Sequence, residues 1–324
     1  MNVIRNVPFF DYPQVYLRDK ENLIRVFDDV CSRGAFILQK DKTEFEINLS
    51  KFVKSSYSIG VGNATDGLEI CCLAMKLKPG DEIICSSHTM IATASSIKFA
   101  GGIPVPVDIG QDGLIDPESI VEHITKNTVG IMPTQLNGRT CDMEKIISIC
   151  KKYNLFLIED AAQSLGSKFK EKNAGTFGEA GVISFFPAKV LGSLGDAGGI
   201  ITNDPNLYDK MYQLHDHGRN PDGELKNWGK NSRLDNLQAA FLNHNLKSHN
   251  NVIERRREIA RIYNHRLSDL NEITLPPGPD DSGNHFDIYQ NYEIQADNRD
   301  QLKNFLKING IGTLIQWGGK GVHQ

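Results

Sequence analysis

Lys189 stands alone among small and apolar neighbours in the stretch SFFPAKVLGSLGDAGG, residues 184–199. An ammonium in such company must meet an anion, shift its pKa or be consumed in a covalent bond, because leaving it buried and unpaired is costly. Carboxylates that could answer it, Glu159 and Asp160, end the buried strand within NLFLIEDAAQSLG. Open parallel sheets place ligand-contacting groups there, beyond the carboxyl ends of their strands. Such an acid could hold Mg²⁺ beside a phosphate loop, but the chain contains no GxxxxGK[ST] segment to complete that site. It could also keep the ring nitrogen of a cofactor protonated, which makes the ring a better electron sink.

SIGVGNATDGLEI reads as strand, glycine turn and helix, so the amides of Ala64, Thr65 and Asp66 fall at a helix N-terminus, where phosphate binds. Gly60 and Gly62 also fit the first two glycines of a dinucleotide fingerprint, but Thr65 takes the third place and the next strand, DEIICSS, ends in serines instead of an acid. A simple capped helix is the plainer alternative. His88, closing the strand EIICSSH, could lie flat on a cofactor ring as aromatic side chains do, with Asp160 at the nitrogen edge.

The elements that must position these groups follow a βαβ rhythm from about residue 43. FEINLSKFV, GLEICCLAMKL, ATASSIKFAG, ESIVEHI and MEKIISICKKY carry helical spacing, while YSIGVG, DEIICS, IPVPVD, VGIMPT and LFLIED read as buried strands. Near-continuous apolar strands separated by crossover helices predict an α/β fold, with a mainly parallel sheet between helices. Ile259, Ile262, Tyr263, Leu267 and Leu270 predict a long amphipathic connector helix. The loop LPPGPDDSGN, a strand FDIYQNYEIQ, a helix RDQLKNFLKING and a strand TLIQW then suffice for a smaller α+β domain. We therefore expect a large domain over 1–248 and a connector with a small domain over 249–324. The text stops at GGKGVHQ without a closing element, so a truncated C-terminus is expected.

Composition narrows the function classes. With 324 residues, 40% hydrophobic, 23% charged and a formal charge of −4, the chain reads as an ordinary globular protein without the basic footprint of a nucleic-acid binder. Arg255, Arg256 and Arg257 read as a solvated helix face. The six cysteines, at 31, 71, 72, 85, 141 and 150, show no CxxC pair, so free buried thiols and a reducing compartment are expected. No basic-then-apolar leader opens the sequence, and no apolar run approaches the ~20 residues of a bilayer span. A cytoplasmic protein, without membrane or nucleic-acid partners, is the expectation. His215 and His217 lack a third ligand nearby, so no metal is expected.

Taken in order, the phosphate turn, the ring-stacking residue, EDAAQ, SFFPAK followed by LGDAGG, and NSRLDNLQAA resemble the DegT/StrS family of pyridoxal-phosphate-dependent nucleotide-sugar aminotransferases, across nearly the whole chain. The resemblance implies the aspartate aminotransferase type I fold, with Lys189 forming the Schiff base to pyridoxal phosphate. It implies Asp160 on the pyridine nitrogen, Gln163 at the ring hydroxyl, His88 stacked on the ring, and Ala64, Thr65 and Ser184 on the phosphate. Asn231 of NSRLD would reach the phosphate of the neighbouring subunit, which implies a homodimer with shared active sites. Gly192, Ser193 and Gly195 would leave room for cofactor and substrate.

Ala188 stands where the family often has threonine or serine, and NATDG where GTDA is common; neither removes a required group. Relatives that dehydrate sugars carry histidine at the lysine position, so Lys189 implies transamination. L-glutamate is the implied amino donor, and a nucleotide-linked keto-deoxyhexose, 3-keto or 4-keto on dTDP or UDP, the acceptor. The segment HDHGRNPDGELKNWGKN reads as a mobile loop whose Arg219, Lys226 and Lys230 could meet the diphosphate, a solvated loop being the alternative. The rival functions are a nicotinamide-dependent oxidoreductase and a non-catalytic cofactor-binding regulatory relative.

Overall fold

The computed structural model describes residues 5–280 and 283–324. Each of the five apolar runs forms a short strand: β1 (Tyr57–Val61), β2 (Glu82–Ser86), β3 (Ile103–Val107), β4 (Thr128–Met132) and β5 (Phe156–Asp160). After a small hairpin of β6 (Lys168–Phe169) and β7 (Lys172–Asn173) come β8 (Ala180–Ser184) and β9 (Gly198–Thr202). They build a seven-stranded sheet in the order β1-β9-β8-β5-β4-β2-β3. Only β9 runs against its neighbours β1 and β8; the pairs β2–β3, β2–β4, β4–β5 and β5–β8 are parallel.

The helices are α1 (Tyr12–Ser32), α2 (Lys40–Val53), α3 (Ala64–Ala74), α4 (Ile91–Phe99), α5 (Pro117–Glu122), α6 (Met143–Tyr153), α7 (Pro205–His215), α8 (Asn236–Leu246), α9 (His249–Leu267) and α10 (Arg299–Ile308). Side-chain oxygens of Asn63, Asp116, Asp142 and Asp204 accept from the first-turn amides of α3, α5, α6 and α7, which fixes where each begins. The interior gathers in three apolar groups, centred on Ile70 and Val182, on Ile131 and Ile146, and on Phe45 and Phe185. Two glycines bring α3 down onto the sheet. A β-carbon on Gly67 would lie 2.9 Å from Val182 Cγ1, and one on Gly198 would lie 2.6 Å from the Asn63 carbonyl carbon.

Beyond α8 the structure departs from expectation. Ile259, Ile262, Tyr263 and Leu270 are exposed, and α9 instead buries His249, Ile253, Arg257 and Ala260. Arg257 is no solvated residue: it donates to the carbonyl of Asp287 at 2.8 Å and lies 4.1 Å from the Phe286 ring centre. Arg256 donates to the carbonyls of Tyr289 and Gln290. Guanidinium groups can be buried where backbone carbonyls satisfy their fork of donors, and helical spacing of apolar residues does not register that.

In place of a strand over 286–295 there are two-residue pairings, β11 (His285–Phe286) with β6 and β12 (Gln295–Ala296) with β10 (Ile273–Thr274). The strand expected in TLIQW does not form; Gln316–Gly319 is a 3₁₀ turn with Trp317 at φ 48. The opening Met1 to Ile4, and Asp281 and Ser282 of the expected loop, lie outside the described residues.

Candidate active site

Two adjacent acids end β5 on opposite faces of the sheet. Glu159 is wholly buried, and four donors close its carboxylate: the amides of Gly175 at 2.8 Å, Phe177 at 2.5 Å and Gly178 at 3.2 Å, and the Gln135 side chain at 2.8 Å. Asp160 is 3% exposed and has two donors among the described residues, Thr93 Oγ1 on Oδ2 at 2.6 Å and the Ala162 amide on Oδ1 at 3.2 Å. A carboxylate offers about four acceptor sites, so Asp160 retains unused lone pairs and Glu159 does not. Burial pushes the Asp160 pKa up, against the pull of Thr93, the Ala162 amide and the charge of Lys189.

Lys189 follows β8 by five residues. Burial lowers its pKa and the Asp160 carboxylate opposes that shift, so desolvation drives both partners of this pair toward their neutral forms. The loop that carries it is built tightly. The Lys189 amide donates to the Phe186 carbonyl at 2.8 Å, while the Gln290 side chain accepts from the Val190 amide and donates to the Ala188 carbonyl, each at 2.9 Å. Gln290 thus grips the backbone on both sides of the lysine, a contact from the far end of the chain that spacing could not reveal.

The small residues beyond the lysine serve the loop before any ligand. A β-carbon on Gly192 would lie 2.4 Å from the Pro187 carbonyl oxygen, and Ser193 Oγ donates to the Phe185 carbonyl at 2.7 Å. Gly195 abuts the Gln238 amide. A cavity of about 1540 Å³ lies between α1, this loop and α9 with Lys189 on its wall; Asp160, Ala64, Thr65, His88, Gln163 and Ser184 are not among its lining residues.

At the start of α3 the Asn63 side chain accepts from the Asp66 amide at 2.8 Å. The amides of Ala64 and Thr65, in the first turn, have no intrahelical acceptor and carry the positive end of the helix dipole. Ser184 pairs with Gly198 across β8–β9, and Gly198 lies directly beneath the Asn63–Ala64 backbone. Ala64 and Ser184 are thereby brought together, as an anion site requires. The residues present fit a phosphorylated ring at this place: anion donors at one end, an acid with open lone pairs at another, and an amine.

His88 lies two residues past β2, at the same end of the sheet as Asp160. Its Nε2 is 3.5 Å from Glu293, and its ring meets Trp317 edge-on at 4.9 Å. Gln163 Oε1 accepts from the Asn137 amide at 2.8 Å, which leaves its NH₂ group as the end free to donate. Asn137 also hydrogen-bonds Glu293, Asn291 and Gln316, so one polar network runs from Gln163 to His88. Burial alone would raise the Glu293 pKa, but bonds from His88, Asn137 and Gln316 hold it below the usual range.

The hairpin over 216–231 is not a loose loop. Backbone bonds from His217 to Lys230, Gly218 to Gln213, Asn220 to Glu224 and Lys226 to Gly218 stitch it. Lys230 is bound to Asp66 at 2.9 Å and Glu69 at 2.6 Å, and Lys226 to Glu224 at 2.8 Å. Within a single chain, then, neither is an uncommitted cation, while Arg219 is exposed. Asn231 is exposed too, between Lys230 and Ser232, whose hydroxyl accepts from the Gly62 amide. His215 is buried against the Tyr212 carbonyl and its pKa falls to about 4 by burial. No metal-ligating cluster occurs among the described residues.

Known proteins resemble this chain along most of its length. The DegT/DnrJ/EryC1/StrS aminotransferase family model matches residues 18–324. A Geobacillus stearothermophilus protein named "Pleiotropic regulatory protein" is 38% identical, over 96% of this chain and 84% of its own length. The UDP-2-acetamido-2-deoxy-3-oxo-D-glucuronate aminotransferase of Pseudomonas aeruginosa is 35% identical, over 96% of this chain and 86% of its own. A crystal structure from Bacillus subtilis, with bound cofactor PMP, superposes with a TM-score of 0.88 at 30% identity, covering 98% of this chain and 73% of that one.

Proposed function

We propose, from the premise that this chain belongs to the DegT/DnrJ/EryC1/StrS aminotransferase family, that it transfers an amino group from L-glutamate to a nucleotide-linked keto-deoxyhexose. The chain is an enzyme, a pyridoxal-phosphate-dependent aminotransferase. The sugar class is supported by the name of the 35%-identical Pseudomonas aeruginosa relative, which acts on a UDP-linked 3-oxo sugar. What carries the reading is the placement of Lys189 near Asp160, an amine close enough to a buried carboxylate with open acceptor sites for the charge of each to bear on the other.

Pyridoxal phosphate, when bound, supplies a conjugated ring that accepts and returns the electron pair of a broken C–H bond. The rest is the work of this chain's residues. Asp160 would hold the ring nitrogen through its unused lone pairs. The amides of Ala64 and Thr65, with Ser184, would bind the phosphate. His88 would cover a ring face, and the Gln163 NH₂ group would donate to the ring hydroxyl. Lys189 Nζ, less basic than an exposed lysine, would hold the cofactor's aldehyde carbon with loss of water and, once displaced by the donor's amino group, would be the free amine that moves the proton at the donor's α-carbon.

A homodimer that shares its sites is part of the same reading. Asn231 is exposed on a hairpin whose Trp228 is 100% exposed and whose Leu225 is 71% exposed, an apolar tip unusual for a surface that meets only water. Arg219, with Lys226 and Lys230 after they exchange partners, would meet the diphosphate from this hairpin. We place the protein in the cytoplasm, which suits its free thiols; no helix among the described residues is long and apolar enough to cross a membrane.

The name of the Geobacillus relative favours one other reading, a regulator that holds cofactor without turning it over. Mixing the loaded protein with glutamate separates the two. The transaminase reading expects 2-oxoglutarate in amounts stoichiometric with sites, then aminated product from a panel of keto-sugar nucleotides. Cofactor binding without 2-oxoglutarate supports the regulator.

A further inference from the structure

Three buried hydroxyls stand in a row behind Asp160. Thr93, near the start of α4, reaches Asp160 Oδ2 at 2.6 Å; Thr89 Oγ1 is 2.7 Å from Thr93 Oγ1; Thr134 Oγ1 is 2.7 Å from Thr89 Oγ1. They are 0%, 1% and 5% exposed. Buried hydroxyls are costly to keep unless paired, and these pair with one another and with one acid. The backbone adds a second tie: the Gln135 amide donates to the Asp160 carbonyl, and the Asp160 amide to the Pro133 carbonyl, so the Thr134 segment and the end of β5 move together.

Each hydroxyl has a single proton. An ionised Asp160 only accepts, so Thr93 must donate to it and spends its proton there. Thr93 can then only accept from Thr89, and Thr89 from Thr134. The carboxylate therefore orders the row into one direction, with every proton pointing toward Oδ2. Hydrogen bonds to a charged acceptor are about twice as strong as neutral ones, and a chain of them polarises cooperatively. Among the described residues the charged group that acts on Asp160 is Lys189, from the loop after β8; the Asp160 carboxylate in turn helps to raise the pKa of the Cys85 thiol on β2, which burial already pushes up to about 12.

We propose that Thr93, backed by Thr89 and Thr134, is a positioning residue that holds Asp160 as an anion and aims its free lone pairs at the cofactor's ring nitrogen. The proposal rests on the reading of Asp160 given above and adds a specific device to it. A threonine that merely filled space would affect every ligand of the pocket alike. One that acts through Asp160 affects only a ligand that carries the ring nitrogen.

The test measures dissociation constants of pyridoxal phosphate and of its 1-deaza analogue, which has carbon in place of the ring nitrogen, for cofactor-stripped wild type, Thr93→Val and Thr93→Ser. Wild type should prefer pyridoxal phosphate. Thr93→Val should weaken pyridoxal phosphate about tenfold, in line with loss of a charge-assisted bond, and leave the analogue within about twofold. Thr93→Ser, which restores the hydroxyl, should match wild type. If Thr93→Val does not fold, Thr89→Val one step along the row should show the same selectivity with a smaller loss. A wild type that binds both ligands equally, or neither, overturns the reading of Asp160 and the proposal with it. A discriminating wild type whose variant loses both ligands alike, or loses neither, overturns the role of Thr93 alone.

Discussion

Glu159 and Asp160 are neighbours with the same chemical group and opposite surroundings. Glu159 faces a loop whose three amides, with the Gln135 side chain, saturate it. Asp160 faces a row of threonines and a lysine, with donors for half of its acceptor capacity. Burial raises the pKa of both, so the shift itself does not tell them apart. The count of donors does: a closed carboxylate braces the fold, and an open one is available to a ligand.

The largest expected effect breaks the open side. Asp160→Asn should lower kcat about a thousandfold while leaving unfolding free energy at or above the wild-type value, as urea denaturation would show. Because the folded-state pKa of Asp160 is raised, its ionisation opposes folding once the pH passes the unfolded value, and a neutral amide avoids that. Glu159→Gln should do the reverse. An NH₂ group would face two donors whichever way the amide turns, costing about 3 kcal/mol of stability by the same denaturation, with kcat per folded molecule within about twofold of wild type.

Acid should sharpen the contrast between bracing and working groups. His215 and His249 are buried and both have pKa values lowered to about 4, whereas an unfolded histidine titrates near 6.5. The unfolded state then binds more protons between those values, so stability present above about pH 6.5 is lost as pH falls toward 4, by up to about 3 kcal/mol for each histidine. His249→Gln should reduce that slope in a series of denaturation curves from pH 7 to 4. A smaller effect is expected from Gln290→Leu, which frees the backbone on both sides of Lys189. Stability should fall by about 1–2 kcal/mol, and cofactor loading, followed by absorbance, should slow relative to wild type.

Much of this frame was legible in the residues because buried parallel strands read as short apolar runs and their carboxyl ends carry the chemistry. YSIGVG, DEIICS and LFLIED announced β1, β2 and β5, and the ends of those runs led to Ala64, His88 and Asp160. What stayed hidden were contacts between residues far apart in the chain. Thr89, Thr93 and Thr134 look like ordinary helix-edge and loop threonines until β2, β4 and β5 stand side by side. Gln290 is one glutamine in an irregular stretch, yet it clamps a loop about a hundred residues earlier. Arg257 misled because charge patterning assigns arginine to solvent, whereas carbonyls of Asp287 and Pro279 satisfy it inside. TLIQW misled because β-propensity needs a neighbouring strand to become a strand, and Trp317 packs beside His88 instead.

The amine and the open acid acting together on one aromatic aldehyde is the claim beneath everything else. Loading the protein with pyridoxal phosphate, reducing with borohydride and mapping peptides by mass tests it most directly. A single phosphopyridoxyl adduct on Lys189, absent from Lys189→Ala, is the expected result. Labelling spread over surface lysines, or an unmodified Lys189 in a protein that still folds, would contradict it.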